Sequence, residues 1–354
     1  MNIKKEQLQK ELSLVLKKAE KHRKRIQISR ILCYGGALVY FLGFIGLQLF
    51  MFSGGDASSL HSLDPDASFL EKNKTLVAII PLFILITIGG YGLSYFQQKF
   101  SAIEQSSIQK VIHQLFPEAK LSLTPATFPM SDILKSNFFG SVHRDYSSGL
   151  SFGKIIFDNE KPKVVFQDVL ISGSKSEHCL SNTSLGALIL VLKSTIKGVT
   201  SSRVENITGS FRGMFASAKL EKDIKGSVVI LPDHLEKHLD YLAKNIQALK
   251  SVGNNKLVQL EDVEFERYFA VYASDEVTAR YVLTPAMMKR ITELKNKYNR
   301  DIMLSFNGNQ FYFAVSMPEG FLTLGDSSLT TGEAIADLYD NFSTVRDTLN
   351  DLNL

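Results

Sequence analysis

Residues Ile31 to Phe52 read ILCYGGALVYFLGFIGLQLFMF, and residues Thr75 to Phe96 read TLVAIIPLFILITIGGYGLSYF. Each run has 22 residues and neither holds a charged side chain. Coiled as an α-helix, such a run rises about 33 Å, enough to cross a hydrocarbon core of roughly 30 Å. Ordinary buried core helices are shorter and less uniformly apolar. The pair therefore predicts an integral membrane protein with spans at 31–52 and 75–96 and a connecting loop at 53–74.

Charge sets the orientation of this hairpin. Residues 1–30 hold ten Lys or Arg against three Glu, a net +7, whereas the loop from Ser53 to Lys74 carries a net −2. An excess of Lys and Arg beside a span keeps that side in the cytoplasm. The N-terminal arm is thus expected inside and the loop outside. After two crossings residues 97–354 return inside, placing both termini in the cytoplasm of a multi-pass inner-membrane protein. A cleaved signal peptide is the competing account of the first run. Signal h-regions span only about 7–15 residues and end at small residues. Phe50-Met51-Phe52 offers no such site.

The whole chain is +4, so everything after residue 30 sums to −3, and the pI of 8.8 belongs to the arm. A nearly neutral large domain lacks the electrostatic footprint of a nucleic-acid binder. Cys33 and Cys179 are the two cysteines, too few for a disulfide framework. Cys33 is either a palmitoylation site or, more simply, a small apolar residue of the span.

Residues 1–30 read as one basic cytoplasmic helix, with Leu8, Leu12, Val15, Ala19, His22 and Ile26 on a single stripe. Residues 97–130 read as a juxtamembrane helix, Phe100 to Phe116, closed by Pro117 and followed by a Pro/Thr-rich linker or turn at 124–129. Residues 131–354 form a mixed α+β domain of antiparallel strands and helices. Gly149 to Phe157 and Val164 to Ile171 are predicted to pair as a hairpin, and Ser210 to Leu220 and Ser227 to Leu231 as two further strands. Asp233 to Lys250 is helical, with Leu235, Leu239, Leu242, Ile246 and Leu249 on one face. Leu185 to Ile196 is apolar but too short for a third span. Asn307-Gly308 within Ile302 to Val315 signals a two-residue hairpin turn, which needs positive φ. Such a turn puts Ile302, Leu304, Phe306, Phe311, Phe313 and Val315 on one apolar face.

Several local motifs stand out between residues 211 and 315: Phe211-Arg212-Gly213-Met214-Phe215, Lys225-Gly226-Ser227 running to Pro232, Glu264-Phe265, Phe269-Ala270-Val271-Tyr272, Asp275, Ala279-Arg280, Leu283-Thr284-Pro285 and the predicted hairpin Ser305 to Val315. In these, and in its two-span N-terminus, the chain resembles a bacterial family catalogued as domain of unknown function 3137. The resemblance implies a membrane-anchored cytoplasmic domain and supplies no activity. It leaves residues 172–209 unmatched.

Chemistry-bearing candidates are few. Asp275 and Arg280 flank a short predicted helix. Asp275 is read as a first-turn carboxylate and Arg280 as the i,i+4 partner of Glu276; the alternative is a ligand site in which Arg280 holds an anion, with Asp275 as the second ligand-binding candidate. Thr284 and Pro285 fit the N-cap and first position of a helix whose apolar face is Met288, Ile291, Leu294 and Tyr298. Gly149-Leu150-Ser151-Phe152-Gly153 matches a nucleophile elbow but continues into strand rather than helix. His234 and His238 are four apart and could share a metal, although the Glu of the zincin pattern is absent from its place. No motif calls for a cofactor.

Two surfaces look built for partners. Lys21, Arg23, Lys24 and Arg25 lie close enough to the first span to face anionic lipid. At the other end, Ile335, Leu338, Phe342, Val345, Leu349 and Leu352 make a heptad seam on an acidic helix. That seam packs on its own domain, pairs with the N-terminal helix or drives self-association. The expected function is a membrane-anchored binding or scaffold protein. The rival is an enzyme at the inner membrane face with an unrecognised active site.

Overall fold

A computed structural model describes residues 2–37, 39–40, 42–43, 74–138, 147–157, 163–173, 210–233, 255–325, 327–331 and 333–351. These fall into two compact units. One takes the described residues within Met1–Ser13, Glu104–Glu177 and Arg203–Leu354; the other takes those within Leu14–Ile103. The predicted helix Asp233 to Lys250 beyond its first residue, the apolar run at 185–196, the external loop, His234 and His238 lie outside the described residues.

Helix α1 (Asn2–Arg30) matches the predicted arm and passes without a break into a π-helical turn, Ile31–Gly35. Its buried face runs through Leu12, Leu16, Ala19 and Ile26, with Leu16 standing where the stripe had placed Val15. Helix α2 (Lys74–Leu115) is 42 residues long, so the second apolar run and the juxtamembrane helix are one continuous element. No Gly or Pro falls between Phe96 and Leu115 to interrupt its backbone hydrogen bonds. Side chains at 74–79, 82, 83, 85 and 86 fall outside the described set, and among the described residues no helix is long and apolar enough to cross a membrane.

Within the second unit the two helices pack antiparallel. Rising along the first, the His22 ring, Ser29 and Cys33 meet Phe96, Gly92 and Gly89 of α2 in descending order. The approach is closest at Gly89, where an added Cβ would stand 2.8 Å from the Cβ of Cys33. Small residues let helix backbones come this near.

The first unit is built on an eight-stranded antiparallel sheet. β3 (Ser147–Phe157) and β4 (Val164–Gly173) form the predicted hairpin, with a bulge between Ser151 and Gly153. Short strands β1 (Lys120–Ser122) and β2 (Ala126–Thr127) both pair with β3. The stretch read as a linker is therefore partly sheet, and α3 (Met130–Ser136) follows it.

Two corrections concern the long strands. β5 (Ser210–Pro232) is one strand of 23 residues rather than two. β8 (Ile302–Ser316) is one continuous strand rather than a hairpin. Its C-terminal half pairs with β5 from Gly213 to Lys219, and its N-terminal half pairs with β5 from Ile224 to Ile230. Gly308 does adopt positive φ (+60°), but as a break in strand register opposite Ile224, not as a chain reversal. The extra residues of β5 between Lys219 and Ser227 bulge there. Crossing that break swaps the faces, so the grouping of Ile302, Leu304 and Phe306 with Phe311, Phe313 and Val315 still fits the register. The neighbouring face is buried too, through Met303, Ser305, Tyr312 and Ala314. The strand is therefore covered on both sides.

β4 lies along the first half of β5, and β7 (Phe269–Ala273) along the second, with β6 (Lys256–Val258) outside β7. One face carries a core of Phe128, Ile133, Phe138, Val169, Ile171, Phe211, Phe215, Val229, Leu231, Tyr272, Met303, Tyr312 and Ala314. Phe215 is its hub, with ring centroids 5.0 Å from Phe128, 6.1 Å from Phe138 and 5.8 Å from Tyr312. Aromatic pairs favour such edge-on or tilted contacts. Helices α4 (Val263–Glu266), α5 (Glu276–Val282) and α6 (Pro285–Tyr298) follow in sequence with side-chain caps from Asp262, Asp275 and Thr284. Helix α7 (Glu333–Asp351) buries Ile335, Leu338 and Phe342, the last at 5.3 Å from Phe321. The first half of the predicted seam is thus spent inside its own domain; the side chains of Val345 and Leu349, and Leu352 altogether, lie outside the described residues.

Candidate functional site

Asp275 and Arg280 both serve local structure. Asp275 is the N-cap of α5: Oδ1 accepts the Thr278 N–H at 2.8 Å, and Oδ2 accepts the hydroxyls of Thr278 at 2.6 Å and Ser274 at 3.2 Å. Bonds from the Thr278 hydroxyl and N–H hold its carboxyl below the usual carboxylate range. Arg280 donates Nη2 to Glu276 Oε1 at 2.8 Å and Nη1 to Glu261 Oε1 at 3.3 Å, in a guanidinium that stays 47% exposed. Helix capping and a surface ion pair account for both, and the two are not brought together on a common ligand position.

A buried charged pair escaped the sequence reading. Arg212 of β5 grips Asp168 of β4 with both arms, Nη1 on Oδ1 and Nη2 on Oδ2 at 2.9 Å, and Nη1 also donates to the Val169 carbonyl at 3.1 Å. Asp168 is fully buried and Arg212 nearly so. The same carboxylate accepts the backbone N–H of Phe321 at 3.1 Å and of Leu322 at 3.2 Å. The Phe152 ring lies 4.3 Å from the guanidinium carbon. Burial pushes the Asp168 carboxyl up, and the Arg212 charge and the two N–H groups pull the other way. Every carboxylate oxygen has partners, so the pair fastens the segment after β8 to the sheet and leaves no site open for chemistry. The available signal was Asp168 itself, the lone charge within the apolar run from Val164 to Ile171.

Gly320 completes this clamp. Its φ is +96°, and an added Cβ would stand 2.3 Å from Arg212 Nη2. Gly320 also lines a cleft of about 390 Å³ whose charged walls are Lys297, Arg300, Glu319, Asp337 and Asp340. Asp337 Oδ2 accepts the Ser327 hydroxyl at 2.5 Å. Both signs of charge converge there, an arrangement suited to holding a polar ligand rather than to nucleophilic attack. Among the described residues no three His, Cys, Asp or Glu side chains gather as a metal site.

The basic cluster is redistributed. Arg23 Nη2 pairs with Glu20 Oε2 at 2.6 Å, which removes one of the four predicted cations from the exposed set. Arg25 stands 5.3 Å above the Phe96 ring, and Lys99 stands 5.7 Å from the Tyr95 ring. Lys21 and Lys24 are exposed. Lys99, from the second helix, joins the group only because the helices pack antiparallel. No periodicity within residues 1–30 could have announced it.

No curated protein and no solved structure matches the chain. Residues 209–354, which begin at the entry to β5 and include the clamp arginine, the cleft and α7, match the model of a family described as a protein of unknown function, DUF3137. Over that segment the chain is similar to the DUF3137 family.

Proposed function

We propose that this protein is anchored in the membrane by its N-terminal helix pair and presents its α+β unit on the cytoplasmic side as a binding or scaffold module. One observation carries the anchor: the helix pair leaves large apolar side chains in the open. Ile31, Leu32, Val39 and Leu42 on the first helix, and Ile80, Ile84, Ile88 and Tyr91 on α2, are 47–77% exposed. Apolar side chains left open in this number along paired helices call for a cover, and lipid is the cover that suits helix stretches without charge. The continuous α-helix over Lys74–Leu115 supplies enough rise for a span, and the net +7 arm supports an inside N-terminus. The mixed-charge cleft on the first unit is where a polar partner would seat.

Single-cysteine labelling tests the reading, with Cys33 and Cys179 replaced by Ala. A membrane-impermeant maleimide is expected to label Ser59→Cys in intact cells and Ser343→Cys only after lysis. Labelling of Ser343→Cys in intact cells, or release of the protein from membranes by alkaline carbonate, overturns it.

A further inference from the structure

The uncharged stretch of the helix pair ends in a group of positive charges drawn from both helices. Arg25 lies over Phe96, Lys99 lies over Tyr95, and those two rings touch edge-on at 5.4 Å. His22 fills the space beside them, its ring 6.1 Å from Phe96, with Nδ1 buried and making no hydrogen bond. Among the described residues, none of Lys21, Arg25 and Lys99 meets a carboxylate; the nearby Glu20 is taken by Arg23. Burial first, and then Arg25, Lys99 and Lys21, push the His22 pKa down. The same uncompensated field acts on any anion that arrives. Tyr91 and Tyr95, four apart on α2, are both exposed at this end. Tyrosine beside basic residues at the end of an apolar helix is the composition of a membrane–water interface.

We infer that Arg25, Lys99 and Lys21 form a headgroup site for the phosphate of an anionic phospholipid in the leaflet facing the N-terminal arm, with Tyr91 and Tyr95 lying against its glycerol and upper acyl region. The site rests on the membrane-anchored reading given above. It also differs from a diffuse polybasic arm, because two of its cations, Arg25 and Lys99, lie over rings and the group comes from two helices. A diffuse arm would treat Lys17 and Lys18, exposed on α1, as equals of Arg25.

The test uses the full chain in neutral detergent, titrated with phosphatidylglycerol or phosphatidylcholine and read by native mass spectrometry for retained lipid. Wild type is expected to prefer phosphatidylglycerol. Each interfacial cation contributes about fivefold, so Arg25→Gln with Lys99→Gln should cut the preference by roughly tenfold to thirtyfold. The single Lys99→Gln, at an exposed side chain, should lose about fivefold and guards against misfolding of the double variant. Lys17→Gln with Lys18→Gln should leave the preference as in wild type, and Arg25→Lys with Lys99→Arg should retain it. Equal loss from the Lys17/Lys18 pair, or an unchanged preference in both Gln variants, overturns the site. Full displacement of the lipid by inorganic phosphate marks a site for a soluble anion and overturns it as well. Resistance to alkaline carbonate reports the anchor separately, so failure of the site and failure of the membrane reading give different results.

Discussion

Arg212→Met should be among the most damaging single substitutions in the sheet unit. It strips the guanidinium from Asp168, whose side chain is 0% exposed, and leaves the carboxylate two backbone N–H groups as its remaining partners. Breaking a buried ion pair by removing one member costs about 3–5 kcal/mol. Those two N–H groups place the loss toward the lower end, and the lost contact with Phe152 adds about 1 kcal/mol, giving about 4 kcal/mol in all. For a unit of this size that lowers Tm by about 8–16 °C. With no Trp in the chain, circular dichroism of the full-length protein in neutral detergent is the suitable readout. The companion variant Asp168→Asn/Arg212→Met removes both charges and keeps an amide oxygen for one N–H donor. The pair of losses should then be far from additive, with a coupling of about 2–3 kcal/mol in the double-mutant cycle. An Arg212→Met variant within about 1 kcal/mol of wild type, or an additive cycle, would refute the clamp.

Gly320→Ala tests the same clamp from the other side. Its Cβ would sit 2.3 Å from Arg212 Nη2 at a φ of +96°, so a loss of about 2–3 kcal/mol is expected in the same melt. Gly308→Val should cost about 1–3 kcal/mol because valine tolerates a φ of +60° poorly, and wild-type stability there would contradict the register break. Tyr312 predicts an alkaline limit: burial, helped by the charge of Asp132, pushes its phenol up to about 12 from an ordinary 10. The folded state keeps this proton after the unfolded chain has lost it, so stability present below pH 10 falls as pH rises toward 12, by about 2 kcal/mol. Urea titrations across that window should show the slope in wild type and a shallower one in Tyr312→Phe. Arg280→Gln should change stability by less than about 1 kcal/mol, because its ion pairs are exposed, and the same melt checks it.

Much of the architecture is written locally. Asp275, Thr284 and Pro285 start helices where their side chains predict, because a cap bonds backbone groups only two or three residues away. The arm helix, the β3–β4 hairpin and the uncharged run now found inside α2 were likewise legible from spacing and composition. What failed was partner choice. Asn307-Gly308 correctly announced positive φ at Gly308, yet a local hairpin would pair Ile302–Phe306 with Asn309–Phe313. The tertiary structure instead offers the 23-residue β5, which pairs with both halves of β8 at once and absorbs the mismatch in its bulge. The candidate sites failed for the same reason. Asp168 meets Arg212 across 44 positions of sequence, and Arg25 shares its cluster with Lys99 across a turned-back helix. A sequence fixes what each segment can do through interactions a few residues long. Which distant segments meet is decided by burying apolar surface over the whole unit, and that sum is settled only in the folded chain.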